Sequence, residues 1–253
     1  MDESPHHRPE RIALKAERSG AGYLLNGRKL FVLDGASADL IIVAARTSGS
    51  TADKNGITLF LMDSNAAGLT RQQLKTLDSR GVANLNFENV RVGADAVLGR
   101  ADEGMIALEA TLDRARAGLA AEMLGHAAQS FEITLDYLKN RVQFDRPIGT
   151  FQALQHRAAK MFTELELARS CIEGALQAID RDAADVAQLA ALAKAKAGAL
   201  VHLVSNEMVQ MHGGIGMTDE HDAGLYLKRA RVQEATFGAA AYHRDRYATL
   251  LGY

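Results

Sequence analysis

The sequence predicts an α+β protein with a partial antiparallel β-domain over residues 1–100 and an antiparallel four-helix-bundle-type α-domain over residues 101–253. Residues 12–98 consist of short β-type runs separated by turn residues. From about residue 102 the pattern becomes helical, and only Pro147 interrupts it, between two predicted helices. A chain of 253 residues can bury one large core or two smaller ones.

The β-region is predicted from its alternating apolar residues and its turn residues. The run GYLLNGRKLFVLDGASADLIIVAART (22–47) predicts a strand to Leu25, a hairpin at Asn26-Gly27 and two further strands. GITLFLMD (56–63) and ANLNFENVRV (83–92) continue the pattern, and the polar segment 47–56 is a predicted loop. We therefore expect five or six strands.

The helical region is predicted from apolar residues spaced by three and four. One such stripe consists of Leu154, Met161, Leu165, Ala168, Ile172 and Ile179. Long helices are also predicted at about 103–141 and 183–211, with two shorter ones in HDAGLYLKRARVQEA and AAAYHRDRYATLL. Several long helices joined by short loops indicate a bundle.

Composition argues against several classes of function. The formal charge of −2 lacks the basic excess of a nucleic-acid binder, so we expect no nucleic-acid partner. The single cysteine, Cys171, cannot form an intramolecular disulfide, and the histidines show no paired i, i+4 spacing, so no metal is assigned. No apolar run is long enough to span a membrane, and MDESPHHRPER lacks an apolar signal region, so the expected location is cytoplasmic.

The segment VQMHGGIGMTDEHD (209–222) breaks the helical pattern with three glycines within four positions, Gly213, Gly214 and Gly216. A glycine cluster can end a helix. It can also let backbone N–H groups approach a phosphate closely. The residues alone leave both interpretations open, and the two are compatible.

Three segments taken in order closely resemble the acyl-CoA dehydrogenase family: LNGRKLFVLDGASADLIIVAART, RVQFDRPIGTFQALQHRAAKM and VQMHGGIGMTDEH. The resemblance extends from about residue 12 to the end, and the last helices (LKRAR…FG…YHRDR) look like those of a bacterial branch. It implies an FAD cofactor, an acyl-CoA substrate, a homo- or hetero-oligomer and an acceptor like electron-transfer flavoprotein. In the family, a glutamate takes the α-proton of the thioester and the flavin takes the β-hydride.

The same resemblance implies the cofactor-binding residues. It assigns Gln210, Met211, His212, Gly213 and Gly214 to a segment that reaches across a dimer interface to a neighbour's FAD. It assigns FAD contacts to Arg141 and Gln152, with Phe144 close by, and flavin neighbours to Phe31 and Leu33. The alternatives are a solvated Arg141 at a helix end and a core position for Phe31.

The substrate side is implied by LDRARAG (112–118) and by the glycine near the C-terminus. Asp113 and Arg116 share a helix face because they are three residues apart. The resemblance implies that Arg116 contacts the CoA portion and that Gly238 lies beside the catalytic position. The alternative is an exposed intrahelical ion pair.

The sequence departs from the family pattern in two ways. Residue 1 falls just ahead of the family's later strands, so we expect a fragment, or a partner that supplies the N-terminal helical domain and the first strands, and an unpaired sheet edge. The family's two catalytic-base positions hold Phe237 and Ala115, and neither can accept a proton. The nearby carboxylates, Asp113 and Glu234, are expected to be solvated surface charges.

Three functional hypotheses therefore remain open. The chain is a subunit or fragment of an FAD-dependent acyl-CoA dehydrogenase, or a catalytically silent partner that completes a neighbour's FAD site. Mixed oligomers of some bacterial family members in sterol degradation are a precedent for the second. The third hypothesis is a helical scaffold without flavin.

Overall fold

A computed structural model describes residues 7–253; residues 1–6, which belong to the N-terminal segment discussed above, lie outside the described range. The chain divides between Thr111 and Leu112 into two units. The first contains a β-sheet and the second contains helices, which confirms the α+β class. Within the described range, no helix combines the length and the apolar character that crossing a membrane requires.

The first unit is built on one seven-stranded sheet in the order β5-β6-β2-β1-β3-β4-β7. Its strands are β1 (Lys15–Ser19), β2 (Gly22–Leu33), β3 (Leu40–Arg46), β4 (Ile57–Asp63), β5 (Leu69–Leu74), β6 (Val82–Gly93) and β7 (Val97–Leu98). Neighbouring strands are antiparallel except for one parallel pairing of Lys15 with Arg46. The sequence underestimated the count because β7 has only two residues, and β5 and β7 form the two edges.

The predicted hairpin at Asn26-Gly27 is wrong. These residues lie inside β2, where a register shift between Leu25 and Gly27 marks a bulge. A Cβ atom on Gly27 would lie 3.0 Å from the Cα of Leu14, so the glycine permits a close approach of two backbones instead of a reversal. The chain turns earlier, between β1 and β2, where Gly20 has a φ of +60°.

The two faces of the sheet differ in burial because successive strand side chains point in opposite directions. In β3, Ile41 and Val43 are buried, whereas Leu40 and Ile42 are exposed. The buried face contributes to an apolar cluster that includes Leu14, Leu25, Phe60, Leu85 and Phe87. The predicted loop at 47–56 does connect β3 to β4.

The second unit contains most of α1 (Gly104–Asn140), which begins in the first unit, and four further helices. These are α2 (Gln152–Asp180), α3 (Val186–His212), α4 (Ala223–Ala235) and α5 (Ala240–Leu250). A short hairpin of β8 (Val142–Gln143) and β9 (Arg146–Pro147) separates α1 from α2, and Pro147 therefore interrupts no helix.

The predicted apolar stripe of α2 is confirmed. Met161, Leu165, Ala168 and Ile172 are all buried in one cluster with residues of α1 and α3. Helices α2 and α3 pack closely because α3 is rich in alanine, whose small side chain lets neighbouring backbones approach. The helical core thus follows from the spacing of apolar residues.

Candidate functional site

The glycine segment ends helix α3. Gly213 follows the last helical residue with a φ of +62°, and its N–H donates to the carbonyl of Gln210. This confirms the helix-ending interpretation, because few residues other than glycine adopt that conformation readily. Added Cβ atoms on Gly213 and Gly214 would meet nothing within 4 Å, and both glycines are exposed. A second group therefore has room to approach this backbone.

The residues just before the glycines face the interior of the unit. Met211 and His212 are 5% and 2% exposed, so both residues are enclosed. The Nδ1 of His212 donates to the carbonyl of Met208 at 2.7 Å, and burial lowers the pKa of this histidine. Its Nε2 is buried without a hydrogen-bond partner among the described residues. His212 therefore anchors the segment from inside.

Tyr137 connects the glycine segment to the end of α1. Its hydroxyl donates to the carbonyl of His212 at 3.3 Å, and the two rings lie 4.3 Å apart. One turn later, the N–H of Arg141 donates to the carbonyl of Tyr137 at 2.8 Å. The last turn of α1, from which the hairpin after Arg141 starts, is thus tied to the glycine segment by direct contacts within the second unit.

The hairpin presents its turn to solvent. Phe144 and Asp145 have positive φ angles of 53° and 62°, and Phe144 is 85% exposed. A bulky residue in this region is uncommon and tends to occur where the surroundings fix the backbone. The ring of Phe144 meets that of Phe151 edge to face at 6.0 Å, and Arg146 lies over Phe151 at 4.1 Å. The exposed ring of Phe144 is therefore supported by its contact with Phe151.

The predicted polar residues of this region are exposed. Arg141, Gln152 and Gln210 all reach solvent, and within residues 7–253 none of the three side chains forms a hydrogen bond or ion pair. Their donors remain available to an external acceptor. The second unit thus presents these three side chains and the glycines Gly213 and Gly214 to solvent.

In the first unit, Phe31 lies in a bulge of β2. The register shifts between Lys29 and Val32, Phe31 has a φ of 51°, and its N–H donates to the Oδ1 of Asn84 at 3.2 Å. The ring is 57% exposed and Leu33 is 51% exposed, so the alternative of a core position for Phe31 is wrong. Bulges commonly redirect a side chain next to a functional site.

Asp113 and Arg116 form a buried ion pair. Arg116 Nη1 donates to Asp113 Oδ1 at 2.7 Å, and the two residues are 0% and 5% exposed, respectively. Arg246 of α5 binds the same carboxylate, at 3.0 Å to Oδ1 and 3.1 Å to Oδ2. Arg116 also reaches the hydroxyl of Tyr242 at 3.4 Å. The alternatives of an exposed pair and of a solvated Asp113 are therefore wrong, because α5 covers this face of α1.

Phe237 and Gly238 form a strained turn between α4 and α5, with φ angles of 57° and 105°. The Phe237 ring is half-buried and packs against the core of the helical unit. Glu234, one turn earlier, is also half-buried and pairs with Arg231 and His202.

A fully buried lysine in α3, which the sequence reasoning missed, lies against this turn. The Nζ of Lys194 donates to the carbonyls of Gln233, Glu234 and Gly238 at 3.0, 3.3 and 3.1 Å. Burial lowers the pKa of Lys194 to about 8, with Glu234 opposing the shift and Arg116 adding to it. The available signal was a lysine on an alanine-rich, otherwise apolar helix face.

Two family models together match most of the chain. The model of the acyl-CoA dehydrogenase C-terminal domain matches residues 102–251, and that of the middle domain matches residues 9–90. The chain belongs to the acyl-CoA dehydrogenase family.

Individual relatives agree with this family. The short/branched chain specific acyl-CoA dehydrogenase of Rattus norvegicus is 31% identical over 224 residues, which is 87% of this chain and 51% of that protein. Butyryl-CoA dehydrogenase from Megasphaera elsdenii superimposes with a TM-score of 0.91 at 28% identity, over 97% of this chain and 66% of that one. A chain from work on the electron transferring flavoprotein of Acidaminococcus fermentans superimposes with a TM-score of 0.93 at 30% identity, over 99% of this chain and 66% of that one. This chain thus spans about half the length of the curated relatives it matches.

In this acyl-CoA dehydrogenase family member, the two positions where the resemblance implies a catalytic base carry no proton acceptor. Phe237 is half-buried, and Ala115 lies on α1 between Asp113 and Arg116. Across residues 7–253, no group of three or more His, Cys, Asp or Glu side chains is arranged to hold a metal ion.

Proposed function

We propose that this chain is a subunit or fragment of an FAD-dependent acyl-CoA dehydrogenase that acts in α,β-dehydrogenation of an acyl-CoA thioester. One observation carries the proposal: the Tyr137–His212 contact ties the end of α1, from which the exposed hairpin after Arg141 starts, to the residue just before Gly213–Gly214. FAD, when bound, supplies the hydride acceptor. The residues of this chain supply binding and orientation.

The exposed residues fit the chemistry of a dinucleotide. The guanidinium of Arg141 can donate two parallel hydrogen bonds to a phosphate, and the amides of Gln152 and Gln210 offer further donors. The space beyond Gly213 and Gly214 admits a phosphate or ring against the backbone. In the first unit, Phe31 and Leu33 offer exposed apolar surface for a flavin ring. Met211 and His212, which are buried, would contribute by anchoring the segment from inside.

The missing base favours a second candidate function. Phe237 and Ala115 are apolar, whereas the polar side chains proposed to bind FAD are exposed to solvent. A chain with this combination can complete the FAD site of a neighbour without abstracting a proton itself. This is the catalytically silent partner, and turnover by the chain in a complete assembly would exclude it.

Asp113, Arg116 and Gly238 are the proposed substrate-side residues, with an acyl-CoA as substrate and an acceptor like electron-transfer flavoprotein. Because Arg116 is enclosed, its contribution here is to hold α5 through Asp113 and Tyr242, next to the turn that contains Gly238. This arrangement shapes the wall of an acyl site. A direct contact between Arg116 and CoA would require the residues over it to move.

FAD binding tests the proposal directly. Arg141→Ala is expected to weaken FAD binding by about 1.5 to 3 kcal/mol, the scale of a hydrogen bond to a charged group. Gly214→Val is expected to weaken it as well, because the side chain fills the space beside the backbone. Titration with FAD, followed by flavin fluorescence, measures both effects. Arg169→Ala, which removes an exposed arginine paired with Glu166, serves as the control and should bind normally.

Unchanged FAD affinity in both variants would show that Arg141 and Gly214 do not form the cofactor site. A purified protein that is colourless and gains no bound flavin would instead support the scaffold hypothesis.

We also expect the protein to form a homo- or hetero-oligomer through the C-terminal helices, with Gln210–Gly214 at the interface. The reason is that the family segment reaches a neighbour's FAD, and here Gln210, Gly213 and Gly214 of this segment are exposed. Analytical ultracentrifugation at micromolar concentration, alone and with candidate partners, measures this. A folded monomer under all these conditions would contradict the expectation.

A further inference from the structure

The 236–239 loop, which joins α4 to α5, is held by a buried ammonium group. Lys194 is 0% exposed. Its Nζ donates to the carbonyls of Gln233 and Glu234 at the end of α4 and to the carbonyl of Gly238 within the loop. The carbonyl end of a helix carries partial negative charge, so a cation is favourable there. A single side chain from α3 thus binds the end of α4 and the loop together.

A second side chain holds the loop from α5. The Nε2 of His243, which is fully buried, donates to the carbonyl of Phe237 at 3.0 Å. The Oγ1 of Thr236 donates back to the carbonyl of Val232 at 2.8 Å. The consecutive carbonyls of Phe237 and Gly238 therefore accept hydrogen bonds from two different helices. His243 of α5 donates to the first, and Lys194 of α3 donates to the second.

These donors act on a backbone conformation that a phenylalanine adopts reluctantly. Phe237 has a φ of 57°, a region where bulky residues are genuine outliers. Such conformations persist when the surrounding structure over-determines them, and they concentrate at functional sites. The direction of side chain 237 therefore depends on the contacts made by Lys194 and His243.

We infer that Lys194 and His243 are positioning residues that hold the backbone at position 237, and so fix where side chain 237 projects. Neither residue is proposed to touch substrate. The inference rests on the proposed function, because position 237 matters to the reaction only if it faces the acyl thioester. Glu234 and Arg116 are the charged groups that act on the Lys194 ammonium, the first stabilising it and the second opposing it.

Hydrogen exchange of the full chain tests the inference. Lys194→Met keeps the length of the side chain and removes all its donors. We expect the amides of residues 236–243 to exchange about tenfold faster or more, where tenfold corresponds to about 1.4 kcal/mol. Exchange in α2 should stay unchanged. Lys196→Met is the matched control, because this lysine lies two residues away and binds Glu164 instead.

A spectroscopic signature provides the second readout. The chain contains no tryptophan, so the indole introduced by Phe237→Trp reports on the loop alone. Adding Lys194→Met should make its fluorescence more accessible to acrylamide, while adding Lys196→Met should not. If Lys194→Met does not fold, Lys194→Leu, which likewise removes every donor, is measured instead. Wild-type exchange and unchanged quenching in a folded Lys194 variant would overturn the inference.

A kinetic measurement separates this inference from the proposed function. In an assembly with a complete acyl site, Phe237→Glu is expected to show turnover, and adding Lys194→Met should lower kcat more than it changes KM. If Phe237→Glu is active and unaffected by Lys194→Met, the positioning role is overturned while the function stands. If FAD does not bind and Phe237→Glu is inactive, the proposed function fails and the inference falls with it.

Discussion

Phe237→Glu is expected to create or raise acyl-CoA oxidation by about 10²- to 10⁴-fold, the usual contribution of a general base. The resemblance puts residue 237 at the family's base position, where the phenylalanine supplies no proton acceptor. The site is half-buried against the helical core. A carboxylate there would be partly desolvated, which raises its pKa toward neutrality and suits it to take an α-proton. Dye-linked oxidation in an assembly with a complete acyl site measures the effect.

Phe237→Gln is the matched control for this prediction. Glutamine has nearly the same size as glutamate and meets the same backbone conformation, but it is not basic. We expect it to leave the rate at the wild-type level. If the wild-type assembly already turns over briskly and Phe237→Glu slows it, the base lies elsewhere. Glu234, Asp113 or a carboxylate of a partner would then be the next candidates.

Asp113→Asn is expected to lower the free energy of unfolding by about 3 to 5 kcal/mol, the cost of breaking a buried ion pair from one side. The substitution keeps the shape of the side chain but leaves Arg116 and Arg246 without their shared carboxylate charge. Both guanidinium groups lie in or near the core, where water cannot replace that charge. Denaturant unfolding followed by the helical circular dichroism signal measures the loss.

Asp182→Asn provides the comparison. Asp182 pairs with Arg114 at 3.3 Å, but both side chains are largely exposed. Exposed pairs contribute roughly 0 to 1 kcal/mol, so this variant should unfold close to the wild type. If both substitutions lower the free energy of unfolding by the same small amount, the buried charge of Asp113 is not important for stability.

Several features of the fold could be predicted from the sequence because they depend on neighbours along the chain. The apolar stripe of α2 was visible in its spacing, and the core contains Met161, Leu165 and Ile172 as expected. The end of α3 was visible in Gly213, because glycine favours the backbone conformation that stops a helix. The hairpin at Asn26-Gly27 was mispredicted because the close approach of Leu14 involves a segment that the local pattern does not contain.

Only part of the candidate site could be predicted from the sequence in this way. Arg141 and Gln210 could be proposed from motifs, but the contact of Tyr137 with His212, which ties the end of α1 to the glycine segment, involves a residue that no motif had singled out. The sequence also suggested that Asp113 faces solvent. It did so because helical position alone does not reveal which face another helix covers.

By itself, the sequence determined the division into a β-region followed by helices, the family to which the chain belongs, and the absence of a proton acceptor at Phe237 and Ala115. These properties reside in residue identity and short-range spacing. Only the tertiary structure decided that Asp113 is enclosed and that Lys194 binds the carbonyls around Gly238. Burial and hydrogen bonding are set by residues far apart in the chain, because packing brings α1, α3 and α5 together around the same turn.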